Sequence, residues 1–371
     1  MPELAADQTR VEWIDAAKGL GILSVILVHS IIPNVNIITT TLSSFTIPLF
    51  FIMAGLTYKS QRHRYDLRKF AISRGRQFLI PYFCLQIIMI ILFYLLPDAV
   101  ETYLTPNEVV FWFLYGSGPP MQSTHLWFLP VLYFGFLLFA VVDRLVGDRP
   151  RIIRFLLVPC FAVLAALINQ AFYPMLVPWH IGAILVSCAY TLIGNELRKE
   201  GGISIWKTDS KVKDLLIILL AIASLFLLSE LNGFTDIAVD NIGLCICIYL
   251  GTGTIGTIIV FIFASYIADS FETIRRGLVM LGNASQEIYE FHPLTFFLTA
   301  PIMFLFGWSI AEVGSSFDLL WPLRFALGVL VSTPVVLFVI RRNRILSFIF
   351  TGTVARRNRT RIEPEVFPQG S

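Results

Sequence analysis

Apolar residues along this chain gather into ten runs that polar and charged segments separate. A helix needs about 20 mostly apolar residues to cross a membrane, and the runs come close to that length. The pattern predicts an all-α fold, a polytopic membrane bundle of about ten transmembrane helices. The runs lie near residues 17–38, 42–58, 77–96, 126–142, 152–170, 177–197, 214–230, 241–267, 286–308 and 321–340.

The positive charges occupy alternate segments between these runs. If the N-terminus is cytoplasmic, every Lys and Arg except Arg324 falls in an inward segment. Loops rich in Lys and Arg stay in the cytoplasm, so we predict that both termini are cytoplasmic. One missing or extra helix would break this alternation. The outward loops that hold no Lys or Arg lie near residues 97–124, 171–178, 231–240 and 309–320.

The composition agrees with a membrane protein, because 56% of the 371 residues are hydrophobic and only 14% are charged. Soluble domains carry about 25% charged residues. The first run lacks a small-residue cleavage site, so we expect it to remain in the chain. We predict one integral-membrane domain over residues 1–345 and a basic, disordered cytoplasmic tail over residues 346–371.

Short motifs and the cysteines argue against other classes of protein. The stretch GTGTIG, residues 251–256, lies inside an apolar run with no strand before it, which favours close helix packing over nucleotide binding. No G-x-x-x-x-G-K-[ST] motif occurs, which speaks against an ATP-driven pump. The five cysteines lie in apolar runs, so we expect neither a metal site nor a disulfide.

The first run carries ionisable residues where hydrocarbon is expected. Lys18 and His29 are 11 residues apart, which places them about 20° from the same helix face and roughly 16 Å apart along the axis. Asp15 lies near that face and can pair with Lys18 or with a basic residue of the next loop. His29 is a candidate for catalysis or a proton relay, or for a hydrogen bond between helices. Lys18 can alternatively extend to the lipid headgroups.

Two arginines end the basic loop that leads into the third run. Arg74 and Arg76 are its last charged residues, and the guanidinium group suits bidentate binding of phosphate. The alternative is a loop whose charge only sets the topology. The basic tail more plausibly anchors the cytoplasmic face than binds nucleic acid, so we expect no nucleic-acid partner.

Aromatic and imidazole side chains meet at the predicted outer surface. His125 and Trp127 open the fourth run, and His180 lies at a similar level at the start of the sixth. Aromatic faces with an imidazole suit a sugar, and an aromatic belt at the membrane interface is the alternative. The two stretches are predicted to line one outward cavity.

Three ionisable residues enter the ninth run from the inner side. Glu287, Glu290 and His292 fall within six residues. Because charged groups in membrane helices avoid lipid, we expect these side chains to face the interior of the bundle. There they can pair with basic residues such as Lys18 or line a reaction pocket.

Five motifs follow one another along the chain. They are RVEWIDAAKGLGILSVILVHS, PLFFIMAG, RGRQFLIPY, HLWFLP and LGNASQEIYEFHP. As an ordered set, between about Arg10 and Arg344, they resemble the membrane acyltransferase family 3, especially its fucose O-acetylase-like and nodulation-factor acetyltransferase members. Two features depart from the family pattern. Lys18 replaces an arginine common in the family, and Ala54 and Leu56 replace a serine and an aromatic residue.

The family has a basic residue, ten intervening residues and a histidine in its first helix, and the two functional positions here correspond to Lys18 and His29. The resemblance implies an acyl-CoA donor taken from the cytoplasm and transfer to a hydroxyl group, usually of a sugar. It also implies that Arg74 and Arg76 lie near the CoA phosphates. No hydrolase-like domain is expected beyond the membrane domain.

We therefore predict an acetyl-CoA-dependent membrane O-acetyltransferase of a bacterial-type inner (plasma) membrane. It would acetylate a cell-surface, lipid-linked or secreted glycan, with His29 as general base or acyl acceptor. The alternative function is a transporter or flippase for a glycan or small solute, with His29 as a proton relay. The predicted catalytic residues are His29, Lys18 and Asp15, the predicted CoA-binding residues are Lys18, Arg74 and Arg76, and the predicted glycan-binding residues are His125, Trp127, His180, Glu290 and His292.

Overall fold

A computed structural model describes residues 12–95, 105–118, 124–199 and 211–353 of the chain. These residues form an all-α bundle, and no β-strand occurs among them. The α-helices are α1 (Glu12–Ile31), α2 (Ile37–Thr57), α3 (Ser60–His63), α4 (Leu67–Leu95), α5 (Pro106–Tyr115), α6 (Phe128–Val146), α7 (Arg151–Phe172), α8 (Ile181–Lys199), α9 (Lys211–Asn232), α10 (Ile246–Ser270), α11 (Glu272–Asn283), α12 (Ser285–Phe296), α13 (Thr299–Leu305), α14 (Ile310–Ser315), α15 (Trp321–Leu330), α16 (Ser332–Pro334) and α17 (Arg344–Thr351). Four 3-10 helices and a π-helix complete the list: Thr124–Trp127, Pro178–His180, Ile237–Val239, Phe317–Leu320 and Val335–Ile340.

Within the described ranges, eight helical segments are long and apolar enough to cross a membrane. A ninth candidate is α12 with α13, which meet at a bend of 44°. These nine segments correspond to nine of the ten predicted runs, so the polytopic membrane bundle is confirmed. Which end of the bundle faces the cytoplasm stays a prediction.

The sixth predicted run is also a helix, α8, but it falls outside the candidates set by length and hydropathy. Its polar residues Ser187, Thr191, Asn195 and Glu196 are all buried. The helix packs against α2, α6 and α7, so protein rather than lipid surrounds these groups. A helix in such a position tolerates more polar residues than one that faces lipid.

The first two helices begin and end earlier than their apolar runs suggest. α1 ends at Ile31, two residues before Pro33. The Asn36 side chain then accepts hydrogen bonds from the main-chain nitrogens of Ile38 and Thr39, and the Thr39 hydroxyl accepts one from the nitrogen of Asn36. This reciprocal capping box starts α2 at residue 37 instead of the predicted 42.

α1 lies inside the bundle, whereas two other helices lie at its edge. α1 contacts α2, α10, α11, α12 and α15, and 61% of its spanning window is buried within the protein. The corresponding share is 17% for α7 and 11% for α9. An apolar helix that protein covers so little presents its side chains to lipid. The ionisable residues of α1 therefore sit on a helix that other helices largely enclose.

Glycines bring several helix backbones into direct contact. A Cβ added at Gly194 of α8 would overlap the carbonyl oxygen of Ile52 in α2. In α10, a Cβ at Gly253 would overlap the Tyr190 hydroxyl, and one at Gly256 would overlap the Phe45 ring. Two of the three glycines of the GTGTIG stretch thus serve close helix packing, as the sequence indicates.

The last described helix continues into the segment predicted as a tail. α17 begins after Asn343, whose side chain accepts hydrogen bonds from two main-chain nitrogens, and ends at Gly352 with φ +63°. Ser347 and Phe350 are buried, and the helix packs against α4. The tail predicted from residue 346 therefore begins with ordered helix. Its remainder, residues 354–371, lies outside the described residues, as does the inner-loop segment 200–210.

Candidate functional site

A cavity of about 490 Å³ lies between α1, α2, α4, α6 and α12. We call the end of the bundle that carries Lys18, Arg74 and Arg341 the basic end, and all three of these residues line the cavity. Along α1 and α12 the lining continues from the basic end to Val25 and Tyr289. The cavity therefore has a charged opening and an apolar interior.

Two of the three cations in the cavity have carboxylate partners. Lys18 Nζ lies 3.2 Å from Asp15 Oδ1. Arg341 Nε donates to Glu287 Oε1 at 2.7 Å, and the same guanidinium donates to the main-chain oxygen of Asn283. The predicted pairing of Asp15 with Lys18 is therefore present. Glu287 faces the cavity as expected, although its partner is Arg341.

Arg74 is the cation whose charge is least compensated. It donates to Gln77 Oε1 at 2.6 Å and lies over the rings of Phe70 and Phe136 at 5.8 and 5.5 Å. Among the described residues, no carboxylate lies within ion-pair distance of it. Arg74 is partly buried, and a cation that is shielded from water without a counter-ion favours binding of an anion.

The two arginines that the sequence placed together have different surroundings. Arg74 lines the cavity, whereas Arg76, two residues later on the same helix, is exposed and does not line it. Two residues turn the helix by about 200°, which accounts for the difference. Sequence analysis did not single out Arg341, because a basic residue after the last run reads only as a topology signal.

Three histidines from distant parts of the chain form a cluster. His29 Nδ1 lies 2.8 Å from His292 Nε2, and the two rings meet edge to edge with centroids 5.1 Å apart and planes 10° apart. His125 lies close enough to both rings for their charges to interact. We refer to His29, His125 and His292 as the histidine cluster.

Tyr289 lies at the border between the cavity and the histidine cluster. Its ring lines the cavity and packs 5.2 Å from the ring of Phe128, another lining residue. The same ring lies 6.2 Å from both His125 and His292, and its hydroxyl donates to the main-chain oxygen of His125. The aromatic ring of Tyr289 thus separates the end of the cavity from the histidine cluster. His29 follows the lining residue Val25 by one helical turn.

The remaining predicted glycan-binding residues lie apart from this cluster. Trp127 and His180 have ring centroids 5.7 Å apart and together line a separate small cleft of about 20 Å³. The Nδ1 atom of His180 is buried without a hydrogen-bond partner in the described part of the chain. The two stretches therefore share one cleft, but His125 joins the histidine cluster instead.

His180 is held in an unusual backbone conformation. Trp179 and His180 have φ values of +52° and +50°, in the left-handed region that side chains other than glycine seldom adopt. The nitrogen of His180 donates to the Ser117 hydroxyl at 2.9 Å, and the hydroxyl itself donates to the oxygen of Val177 at 2.5 Å. These contacts hold the strained turn in place, and such strain often occurs at functional sites.

Glu290 is 2% exposed and does not line the cavity. Its Oε1 accepts a hydrogen bond of 3.0 Å from Gln286, which lines the cavity. The other oxygen, Oε2, has no partner among the described residues. Glu290 therefore lies behind the wall of the cavity.

Among the described residues, no group of three or more His, Cys, Asp or Glu side chains could hold a metal ion.

The family model of an acyltransferase domain, acyltransferase 3, matches residues 11–341. The chain belongs to the acyltransferase 3 family. The match spans α1 to α16 and includes the histidine cluster and all residues that line the cavity except Thr351 and Thr353. The chain is therefore a membrane acyltransferase. A search of curated proteins and a search of solved structures gave no match to the chain.

Proposed function

We propose that this acyltransferase is a multi-pass O-acetyltransferase of a bacterial-type inner membrane. It takes the acetyl group of acetyl-CoA from the cytoplasmic side and transfers it to a hydroxyl of a cell-surface, lipid-linked or secreted glycan. The observation that carries the proposal is the course of the cavity, which begins at three cations and ends at the aromatic ring of Tyr289 beside the histidine cluster.

The cavity suits a donor with an anionic head and a long neutral arm. The phosphates of CoA bind at the basic end, where Arg74 has no carboxylate partner among the described residues and Lys18 and Arg341 can turn from theirs. Asn283 Oδ1 is buried and has no hydrogen-bond partner in the described residues, so an amide N–H of the arm can donate to it. The rise of about 16 Å from Lys18 to His29 is comparable to the length of the extended pantetheine arm.

His29 is the group that acts on the acceptor. As a general base it takes the proton of the sugar hydroxyl while the oxygen attacks the thioester carbonyl. The carbon–sulfur bond then breaks, and the CoA thiolate takes up a proton. In the alternative route His29 attacks first, forms an acyl-imidazole and then passes the acetyl group to the hydroxyl. In either route the Tyr289 ring has to turn aside to let the thioester reach His29.

The acceptor approaches from the opposite end of the bundle. Trp127 and His180 offer an aromatic face and an imidazole there, and Tyr82 and Gln86 line the same cleft. An aromatic face with nearby hydrogen-bonding groups suits a sugar ring. Trp127 follows His125 by two residues, so the cleft and the histidine cluster share one short segment of chain.

Acetyl transfer by the purified full-length protein tests the proposal. With labelled acetyl-CoA, we expect the wild type to release free CoA and transfer label to a glycan extract, and His29→Gln to lose at least about 100-fold of this rate. His63→Gln is the matched control, because His63 packs against Tyr58 and Phe70 outside the histidine cluster. Unchanged turnover in His29→Gln would refute the proposal. Solute transport in vesicles without acetyl-CoA turnover would instead favour a transporter.

A second variant tests the cavity independently of the histidine. Ala54 lines the cavity on α2, so Ala54→Phe fills part of it with a ring. We expect weaker binding of acetyl-CoA by calorimetry and an unchanged or higher unfolding temperature, since filling a cavity does not cost packing. Unchanged binding would place the donor elsewhere. Mass spectrometry of surface glycans from cells with and without the gene then identifies the acceptor.

A further inference from the structure

A proline directly after His292 alters the hydrogen bonds of α12. In an α-helix, the N–H of each residue donates to the carbonyl four positions earlier. Pro293 has no N–H, so the Tyr289 carbonyl lacks its usual helical donor. The Nδ1 atom of His292 lies 2.9 Å from this oxygen and 3.1 Å from the oxygen of Ile288. The imidazole therefore supplies the hydrogen bond that the proline removes.

These contacts determine which nitrogen of His292 carries its proton. Two carbonyl oxygens face Nδ1, and a carbonyl can only accept, so Nδ1 bears the hydrogen. In the neutral ring the other nitrogen, Nε2, then has a lone pair. A doubly protonated His292 would put a charge on a side chain that is 0% exposed, and in the described part of the chain no carboxylate is among the groups that interact with its charge. Burial of an unpaired charge is costly, which favours the neutral ring.

The lone pair of His292 in turn determines the tautomer of His29. His292 Nε2 lies 2.8 Å from His29 Nδ1, so the hydrogen of this bond belongs to His29. The lone pair of His29 is then on Nε2, which makes no hydrogen bond to the described residues. A partner on one imidazole nitrogen commonly sets the tautomer in this way.

We propose that His292 and Pro293 together are positioning residues that hold His29 with a free lone pair on Nε2. Pro293 exposes the Tyr289 carbonyl, this carbonyl orients His292, and His292 orients His29. As Nε2 of His29 gains a proton during the reaction, His292 continues to accept the hydrogen bond from Nδ1. The catalytic consequence rests on the proposed function, whereas the chain of hydrogen bonds does not.

Nitrogen NMR tests the hydrogen-bond chain without reference to activity. The full-length protein, labelled with 15N-histidine in lipid nanodiscs, has five histidines, which single substitutions can assign. We expect both His29 and His292 to carry hydrogen on Nδ1 in the wild type. In His292→Met, the resonances of His29 should shift to a mixture of tautomers. Hydrogen on Nε2 of His29 in the wild type, or no change in the variant, would overturn the proposal.

Kinetics test the consequence for catalysis. A glutamine at position 292 retains an oxygen near the place of Nε2, whereas methionine has similar bulk and no comparable acceptor. We expect His292→Met to lower kcat about 100-fold with KM for acetyl-CoA within about twofold, and His292→Gln to recover at least about tenfold of that loss. Equal rates in the two variants, whether low or unchanged, would contradict a positioning role.

Pro293→Ala tests the origin of the arrangement. The alanine N–H can bond the Tyr289 carbonyl and so compete with His292 for it. We expect a smaller loss of kcat than in His292→Met and a mixture of tautomers at His29. If Pro293→Ala gives the NMR spectrum of the wild type, the proline does not contribute to the hydrogen-bond chain that orients His29. If the wild type shows the tautomers but no acetyl-CoA turnover, the proposed function fails while the hydrogen-bond chain stands.

Discussion

The guanidinium of Arg324 donates two hydrogen bonds, of 2.9 and 2.6 Å, to the main-chain oxygen of Ser30, the residue after His29. A third bond reaches the oxygen of Phe317 at 2.5 Å, and the guanidinium lies 3.8 Å from the centroid of the Phe317 ring. Arg324 is only 1% exposed. The last turn of a helix has carbonyls without main-chain donors, and a cation is favourable there. Arg324 thus fixes the end of α1 that carries His29.

Loss of this contact is expected to destabilise the protein. Arg324→Met leaves buried carbonyls without a donor and should lower the free energy of unfolding by at least about 2 kcal/mol. Arg324→Lys keeps the charge but not the fork of donors, so its effect should be intermediate. Thermal unfolding in detergent measures both. Arg68→Met, at an exposed position, is the control, and an equal effect there would contradict the role of Arg324.

Arg74 and Arg76 form a matched pair for donor binding. Because only Arg74 lines the cavity, Arg74→Gln should raise KM for acetyl-CoA roughly tenfold or more, which is the loss of one charge-assisted hydrogen bond. Arg76→Gln should leave KM within about twofold. Initial rates over a range of acetyl-CoA concentrations distinguish the two. A larger effect of Arg76→Gln would mean that the phosphates bind outside the cavity.

The contact between α2 and α8 is expected to tolerate no side chain at Gly194. Gly194→Ala forces a methyl group against the main-chain oxygen of Ile52 and should cost about 1–3 kcal/mol through displacement of the helices. Gly251→Ala is the control within another membrane helix, since nothing lies within 4 Å of its added Cβ. We expect its unfolding temperature to equal or exceed that of the wild type. Equal losses of stability in both variants would mean that the effect comes from the backbone freedom of glycine rather than from the packing of α2 against α8.

Asp240, in the loop between α9 and α10, makes stability depend on pH. Burial raises the pKa of its carboxyl from 3.8 to about 6, against a hydrogen bond from the nitrogen of Val177 that lowers it. The folded state then binds this proton more tightly than the unfolded chain. Ionisation of Asp240 therefore destabilises the folded protein least below about pH 4, and this destabilisation grows as the pH rises through about 6.

Asp240→Asn removes this titration. The amide oxygen still accepts from Val177, and asparagine tolerates the φ of +58° at this position. At pH 7.5 the variant should be more stable by at most about 3 kcal/mol, whereas at pH 4 it should match the wild type. Unfolding temperatures at the two pH values provide the measurement. A difference of equal size at both would exclude ionisation as its cause.

The sequence alone determined the helices and much of their contents. Each of the ten apolar runs coincides with helix among the described residues, and nine of them match candidate membrane spans, because both the length of a run and its lack of charge follow from the requirements of a bilayer. Periodicity within one helix also placed Lys18 and His29 on one stripe, and the structure puts Lys18 in the cavity and His29 one turn beyond its lining residue Val25. Such relations depend only on local geometry, which 3.6 residues per turn fixes.

Which of these faces meet depends on how the helices pack. His29 contacts His292, which is 263 residues away, and nothing in the period of either helix specifies that partner. The packing also put Arg74 at the cavity and Arg76 outside it, and it separated His125 from Trp127 and His180. Helix contacts arise from the fit of whole surfaces, such as the glycine contact of α2 with α8. The sequence therefore determined the helices and their polar stripes, and the packing of those surfaces assembled the site.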